Sequence, residues 1–110
     1  MAVSPIREGF STITSYLLVD GVARLLTFVT KAFDAQVLAR ESRPDGAIMH
    51  AEVKIGDSML MMGEGGGGFE PMPASIYLYV TNCDVVYKQA LQAGATSVFE
   101  MTDLPSGERY

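Results

Sequence analysis

Two stretches of the chain repeat one order of apolar and polar positions. Residues 13–19, ITSYLLV, are rich in β-branched and aromatic side chains and predict a strand, which Asp20-Gly21 breaks while offering a helix-capping side chain. Val22, Leu25, Leu26, Val29 and Phe33 then recur at three- and four-residue steps, one stripe of a helix. Residues 76–80, IYLYV, predict a second strand, Thr81-Asn82 takes the capping position, and Cys83, Val86, Tyr87 and Ala90 supply the matching stripe. The pairs Val22/Cys83, Leu25/Val86, Leu26/Tyr87 and Val29/Ala90 align without a gap. Gly94 is expected to end the second helix as Asp34 ends the first.

After the first helix, AQVLARES, AIMHAEVKIG and SMLMMG read as three further strands, separated by the turn signals RPDG and GD. The first copy is therefore βαβββ and covers about residues 11–63. The second, about residues 74–110, continues with TSVFEMTD as its strand after the helix and then LPSGERY; two strands of a full copy are missing from it. Between the copies lies a glycine-rich stretch, residues 63–70. It lacks the Gly-Lys-Ser/Thr ending of a phosphate-binding loop and no helical pattern follows it, so it is expected to be a flexible linker.

Composition narrows the functions open to this pattern. At 110 residues the chain is expected to form one domain, spanning 1–110. A net charge of -5, with the eight basic residues scattered, works against sequence-independent binding to nucleic acid or to an acidic membrane. No apolar run approaches the ~20 residues that cross a bilayer. The N-terminal MAVSPIREGF lacks the plan of a signal peptide, and the one cysteine cannot form an internal disulfide, so a cytoplasmic protein is expected.

Four phrases in this order resemble the glyoxalase/bleomycin-resistance/dioxygenase superfamily, the vicinal oxygen chelate proteins, and within it the PhnB-like subgroup: YLLVDGVARLLTFVTKAF, PDGAIMHAEVKIGDSMLMM, SIYLYVTNCDVVYKQALQAGA and the terminal GERY. The resemblance implies an α+β fold in which tandem βαβββ modules form a curved mixed sheet around a cavity, with helices on the convex side and the second module incomplete. Members usually run some tens of residues further, through two final strands, and commonly form homodimers. A small organic ligand in the cavity is the implied partner.

Strand alternation then assigns faces. Ile13, Ser15, Leu17 and Val19 would meet the first helix, while Thr14, Tyr16 and Leu18 face the cavity; likewise Ser75, Tyr77 and Tyr79 look inward in the second copy. On the third strand Val53 and Ile55 pack outward, leaving His50 and Glu52 inside with one parity of residues 59–62, Met61 among the candidates. Metal-dependent members place His, Gln or Glu at the positions where Thr14 and Ser75 stand, and Glu on the last strand of each module, where the first copy offers Met59, Leu60, Met61 and Met62. Hydroxyls are poor ligands and thioethers suit soft metals. No metal and no cofactor are expected.

His50 and Glu52, two residues apart on one strand, share a face, and a carboxylate stabilises the charged form of a neighbouring imidazole. They read either as a general base with its orienting carboxylate or as a pair satisfying each other at a pocket wall or dimer contact. Tyr16, Tyr77 and Tyr79 could stack on a planar ligand or simply fill the barrel. The methionines read as adaptable packing, Cys83 as a small buried hydrophobe, and Glu100 as a further carboxylate of uncertain facing. Two functions stay open: a metal-independent enzyme with His50 as base, or a non-catalytic protein that sequesters a drug or metabolite.

Overall fold

The computed structural model of the chain describes residues 4–110. Its elements are β1 (Ser15–Val19), α1 (Val22–Phe33), β2 (Gln36–Ser42), β3 (Ile48–Ile55), β4 (Ser58–Glu64) and α2 (Cys83–Gln92). The four strands form one mixed sheet in the order β1-β4-β3-β2. β4 runs parallel to β1, while β2–β3 and β3–β4 are antiparallel hairpin pairs. The chain thus leaves β1 through α1, enters the sheet at its far edge, and folds back strand by strand until β4 lies beside β1. This is the βαβββ order expected for the first copy.

Local chemistry fixes each turn. Ile55 and Ser58 are paired across Gly56-Asp57, and Gly56 at φ 58 supplies the positive φ that a two-residue hairpin demands at its first central position. Arg43-Pro44-Asp45-Gly46 closes the β2–β3 hairpin with Gly46 N–H donating to the Arg43 carbonyl at 2.8 Å, and the Asp45 carboxylate accepts from Ala47 N–H.

The core is the space between α1 and one face of the sheet. Val22, Leu26 and Val29 of α1 are buried against Ala51 and Val53 of β3 and Leu60 and Met62 of β4, with Leu17 and Val19 of β1 packed at the border. This matches the expected facing of Leu17, Val19 and Val53. Ile13 departs from it: β1 begins at Ser15, and Ile13 lies outside the strand and exposed. The cap of α1 also differs from expectation. Gly21, not Asp20, is the N-cap residue, and the side chain that satisfies the first helical amides comes from β4, where Glu64 accepts from Gly21 N–H at 2.8 Å and Val22 N–H at 3.0 Å. Gly63 and Glu64, expected in the linker, are therefore part of β4.

The second copy keeps its helix but not its strands. Asn82 caps α2 as expected, its side chain accepting from Val85 N–H at 3.3 Å. Residues 76–80 take no strand pairing, and residues 96–103 join a ladder only through the isolated bridge between Asp103 and Arg109. A strand exists by pairing, and β1 owes its own pairing to β4. Among the described residues no segment pairs with residues 76–80. Arg109 of the terminal GERY instead bridges Asp84 of α2 at 3.1 Å and Asp103 at 3.0 Å, tying the tail to the helix. No helix among the described residues is long and apolar enough to cross a membrane.

Candidate functional site

The sheet face turned away from α1 carries the chemistry. Register places Tyr16 beside Met61 and Met61 beside Glu52, and in the next row Leu18 beside Gly63 and Gly63 beside His50. Side chains directly paired across a sheet share a face. Tyr16, Met61, His50 and Glu52 therefore share one face, across three strands.

A line of hydrogen bonds joins three of them. His50 Nε2 lies 3.0 Å from Glu52 Oε2, and the Tyr16 hydroxyl lies 3.3 Å from His50 Nδ1, with the two rings 5.7 Å apart and tilted by 38°. Glu52 is only 4% exposed, whereas Tyr16 at the other end is 50% exposed. With Glu52 ionised, Nε2 is the nitrogen that donates to it, so in the neutral imidazole Nδ1 is left to accept from Tyr16. Exposure thus rises along the line, from the Glu52 side chain at 6% through the His50 side chain at 22% to Tyr16.

The inner end is closed by a residue absent from the sequence reading. Arg7 Nη1 donates to Glu52 Oε2 at 3.1 Å and Arg7 Nη2 to Glu52 Oε1, a two-pronged ion pair. Residues 7–10 form a turn closed by Phe10 N–H on the Arg7 carbonyl at 2.9 Å, with Gly9 at φ 86 providing the positive φ its third position needs. The turn sets the Arg7 guanidinium 4.3 Å from the centre of the Phe10 ring. It also presses close to the sheet, since a Cβ at Gly9 would stand 2.9 Å from Met59 Cε. Arg7 holds the Glu52 carboxyl below the ordinary carboxylate range against the opposing effect of burial, and His50 adds to the lowering. What signal the sequence had was a carboxylate at an inward strand position, which requires a cation, and few basic residues to choose from.

The remaining candidates lie elsewhere. Ser75, Tyr77 and Tyr79 are exposed on the unpaired strip, with the two tyrosine rings 5.2 Å apart. That strip forms a wall of two open cavities. One of about 510 Å³ reaches Cys83, Tyr87 and Met101, and one of about 770 Å³ reaches Phe33, Ile55 and Met59. Neither is lined by His50 or Glu52, so the polar line and the larger hollows are separate features. Thr14 spends its hydroxyl on the Ser11 carbonyl at 3.1 Å. Glu100 is exposed, and Cys83 is half-buried with its thiol 3.5 Å from the Arg109 carbonyl.

The superfamily's metal positions do not fit a divalent ion here. Thr14 is turned to its own backbone, Ser75 stands in solvent, Met62 and Leu60 point into the α1 core, and Met61 offers a thioether. Among the described residues no three of His, Cys, Asp and Glu gather as a ligand set.

No protein-family profile matches the chain. Over 109 residues it is 36% identical to an uncharacterised protein of Mycobacterium bovis, a match covering 89% of this chain and 72% of that protein. An uncharacterised protein of Mycobacterium tuberculosis is also 36% identical over 109 residues, but the chain spans only 64% of its length. Among solved structures, TioX from Micromonospora sp. ML1 superposes with a TM-score of 0.68 at 23% identity, over 90% of this chain and 82% of that one. A PhnB protein from Bacillus cereus superposes with a TM-score of 0.64 at 23% identity, over 90% and 87% of the two chains. The sheet order and crossover described above are thus shared with proteins whose sequences have diverged widely.

Proposed function

The chain belongs to one family with the mycobacterial proteins and shares its fold with TioX and the PhnB protein; we propose that it is a PhnB-like member of the glyoxalase/bleomycin-resistance (vicinal oxygen chelate) superfamily and that it binds a small organic molecule against Tyr16, His50 and Met61. The observation that carries this reading is the hydrogen-bonded line from buried Glu52 through His50 to the hydroxyl of half-exposed Tyr16. A buried ion pair that only held the sheet together would have no need of an ordered phenol at its open end.

The chemistry such a line supports is proton transfer. As the Tyr16 oxygen takes a proton from a ligand O–H or activated C–H, its own proton passes to His50 Nδ1, and the imidazolium so formed is stabilised by Glu52. His50 is then the base and Glu52 its orienting group, and Tyr16 is the atom that meets the ligand. No step passes through a metal.

The test is a thermal-shift screen of small molecules, followed by turnover assays on whatever stabilises the protein. A true ligand is expected to lose at least roughly tenfold in affinity in both Tyr16→Phe and His50→Ala, the cost of one good hydrogen bond in a partly buried site. Equal stabilisation of wild type and both variants overturns the reading. A second reading, sequestration without catalysis, is favoured by the Tyr77–Tyr79 ring pair beside the cavity of about 770 Å³. It predicts a ligand that is bound without turnover and released by Tyr79→Ala but not by His50→Ala.

A further inference from the structure

The Arg7–Glu52 contact has an unusual division of burial. The carboxylate side chain is 6% exposed and fixed in the centre of a strand, whereas the guanidinium side chain is 60% exposed and rides on a segment with no helix or strand. Glu52 Oε1 receives its hydrogen bond from Arg7, while Oε2 is shared between Arg7 and His50. Withdrawing Arg7 would leave Oε1 without a partner among the described residues, and a buried anion missing its cation is strongly unfavourable. The site therefore demands a cation, but nothing in its construction demands that the cation be covalently attached.

The shape of the slot is equally specific. On one side stands the carboxylate edge of Glu52, which accepts two parallel N–H donors; on the other lies the face of Phe10, 4.3 Å from the guanidinium carbon. Edge and face together select a flat cation with paired donors, because a planar guanidinium can meet a carboxylate in its own plane while stacking on a ring. The 7–10 turn that carries Phe10 is closed between backbone groups, so removing the Arg7 side chain leaves its hydrogen bond available.

We propose that the slot between Glu52 and Phe10 is a binding site for a guanidinium or amidinium group, that Arg7 is its resident occupant in the free protein, and that a ligand bearing such a group enters by displacing Arg7. The ligand of this face would then be an organic cation, with its planar head on Glu52 and its body passing along Met61 towards the Tyr16 hydroxyl. The net charge of -5 favours the approach of such a ligand at low salt. For the natural ligand the inference rests on the proposed function of this face; the slot itself is testable without it.

The experiment is chemical rescue of Arg7→Ala by methylguanidinium. Arg7→Ala is expected to melt below wild type, and methylguanidinium chloride at about 10 mM, in excess of the millimolar affinity that so small an ion can reach, is expected to restore roughly half or more of the loss. Urea, the neutral molecule of the same outline, and sodium chloride at equal concentration should restore none of it, and the wild type should shift by much less than Arg7→Ala, because there the small ion must first displace Arg7. Rescue should vanish in Arg7→Ala/Glu52→Gln and weaken in Arg7→Ala/Phe10→Ala. If Arg7→Ala does not fold alone, recovery of a cooperative transition on adding methylguanidinium but not urea reads out the same slot. Rescue that is absent, matched by urea, or retained without the Glu52 carboxylate overturns the proposal. Because none of these readouts involves Tyr16 or His50, such a failure is distinct from failure of the functional reading above.

Discussion

Residues 15–33 and residues 76–92 carry nearly the same order of apolar and polar side chains, yet one contributes to the sheet and its buried core and the other buries none of its helix residues. In the first, β1 is held by β4 through five paired positions, and α1 buries Val22, Leu26, Val29 and Ala32. In the second, the strand-like segment is unpaired, with Tyr79 84% exposed, and α2 buries none of its residues fully. Both helices have good local signals; what differs is what lies beneath them. An amphipathic stripe becomes a core only where a sheet face is present to receive it, and a β-prone segment becomes a strand only where another offers its backbone.

Emptying an inward-facing site in each copy is the most forceful way to break this comparison. Met62→Ala, which empties a fully buried site between β4 and α1, is expected to cost about 2–5 kcal/mol in a urea titration. Val86→Ala, on the half-buried stripe of α2, should cost less than about 1 kcal/mol. Comparable losses would mean that the second copy is as much a part of the cooperative unit as the first.

The helix caps sharpen the contrast at smaller scale. Glu64→Ala removes the carboxylate that accepts from two amides at the start of α1 and is expected to cost about 1 kcal/mol, while Asn82→Ala should cost roughly half of that or less, because fraying of α2 exposes no buried side chain. The same urea titrations measure both.

The smallest effect is one of slope. Glu52 is held below the ordinary glutamate range by Arg7, and Glu64 by the Val22 and Gly21 amides, so both belong to the first copy. A carboxyl that is more acidic folded than unfolded contributes stability above its unfolded value, near ~4.3, and loses that contribution as pH falls through its folded value. Wild-type stability is therefore expected to be level above about pH 5.5 and to drop on further acidification, and the drop should be shallower in Glu52→Gln and in Glu64→Gln. An unchanged slope in both variants would move the acid sensitivity to other carboxyls, Asp45 of the β2–β3 turn first among them, since the Ala47 amide holds it below its ordinary range.

These contrasts also explain what was legible in the sequence. The α1 stripe, the two hairpins, and the shared face of Tyr16, His50 and Glu52 all follow from the periods of helix and strand, and each depends on neighbours within a few residues or on a register set by short turns. The unpaired state of residues 76–80 was not legible, because their composition is that of a strand and what sets them apart is that none of the described residues pairs with them. Two long-range substitutions were hidden for a related reason. Asp20 was the local choice for capping α1, but β4 delivers Glu64 from more than forty residues away, and Arg7 reaches Glu52 across forty-five. A side chain's own sequence neighbourhood does not record which distant group will arrive beside it.

Gly63 sits opposite His50 on β4, and a Cβ built there would come within 2.5 Å of the Tyr16 hydroxyl and 3.1 Å of its ring. The missing methyl is what lets the phenol recline across its neighbour and reach the imidazole, so the aim of the tyrosine is set by empty space as much as by attraction. One added carbon at that position would tip the ring outward and disconnect it from the histidine, leaving every charge in place.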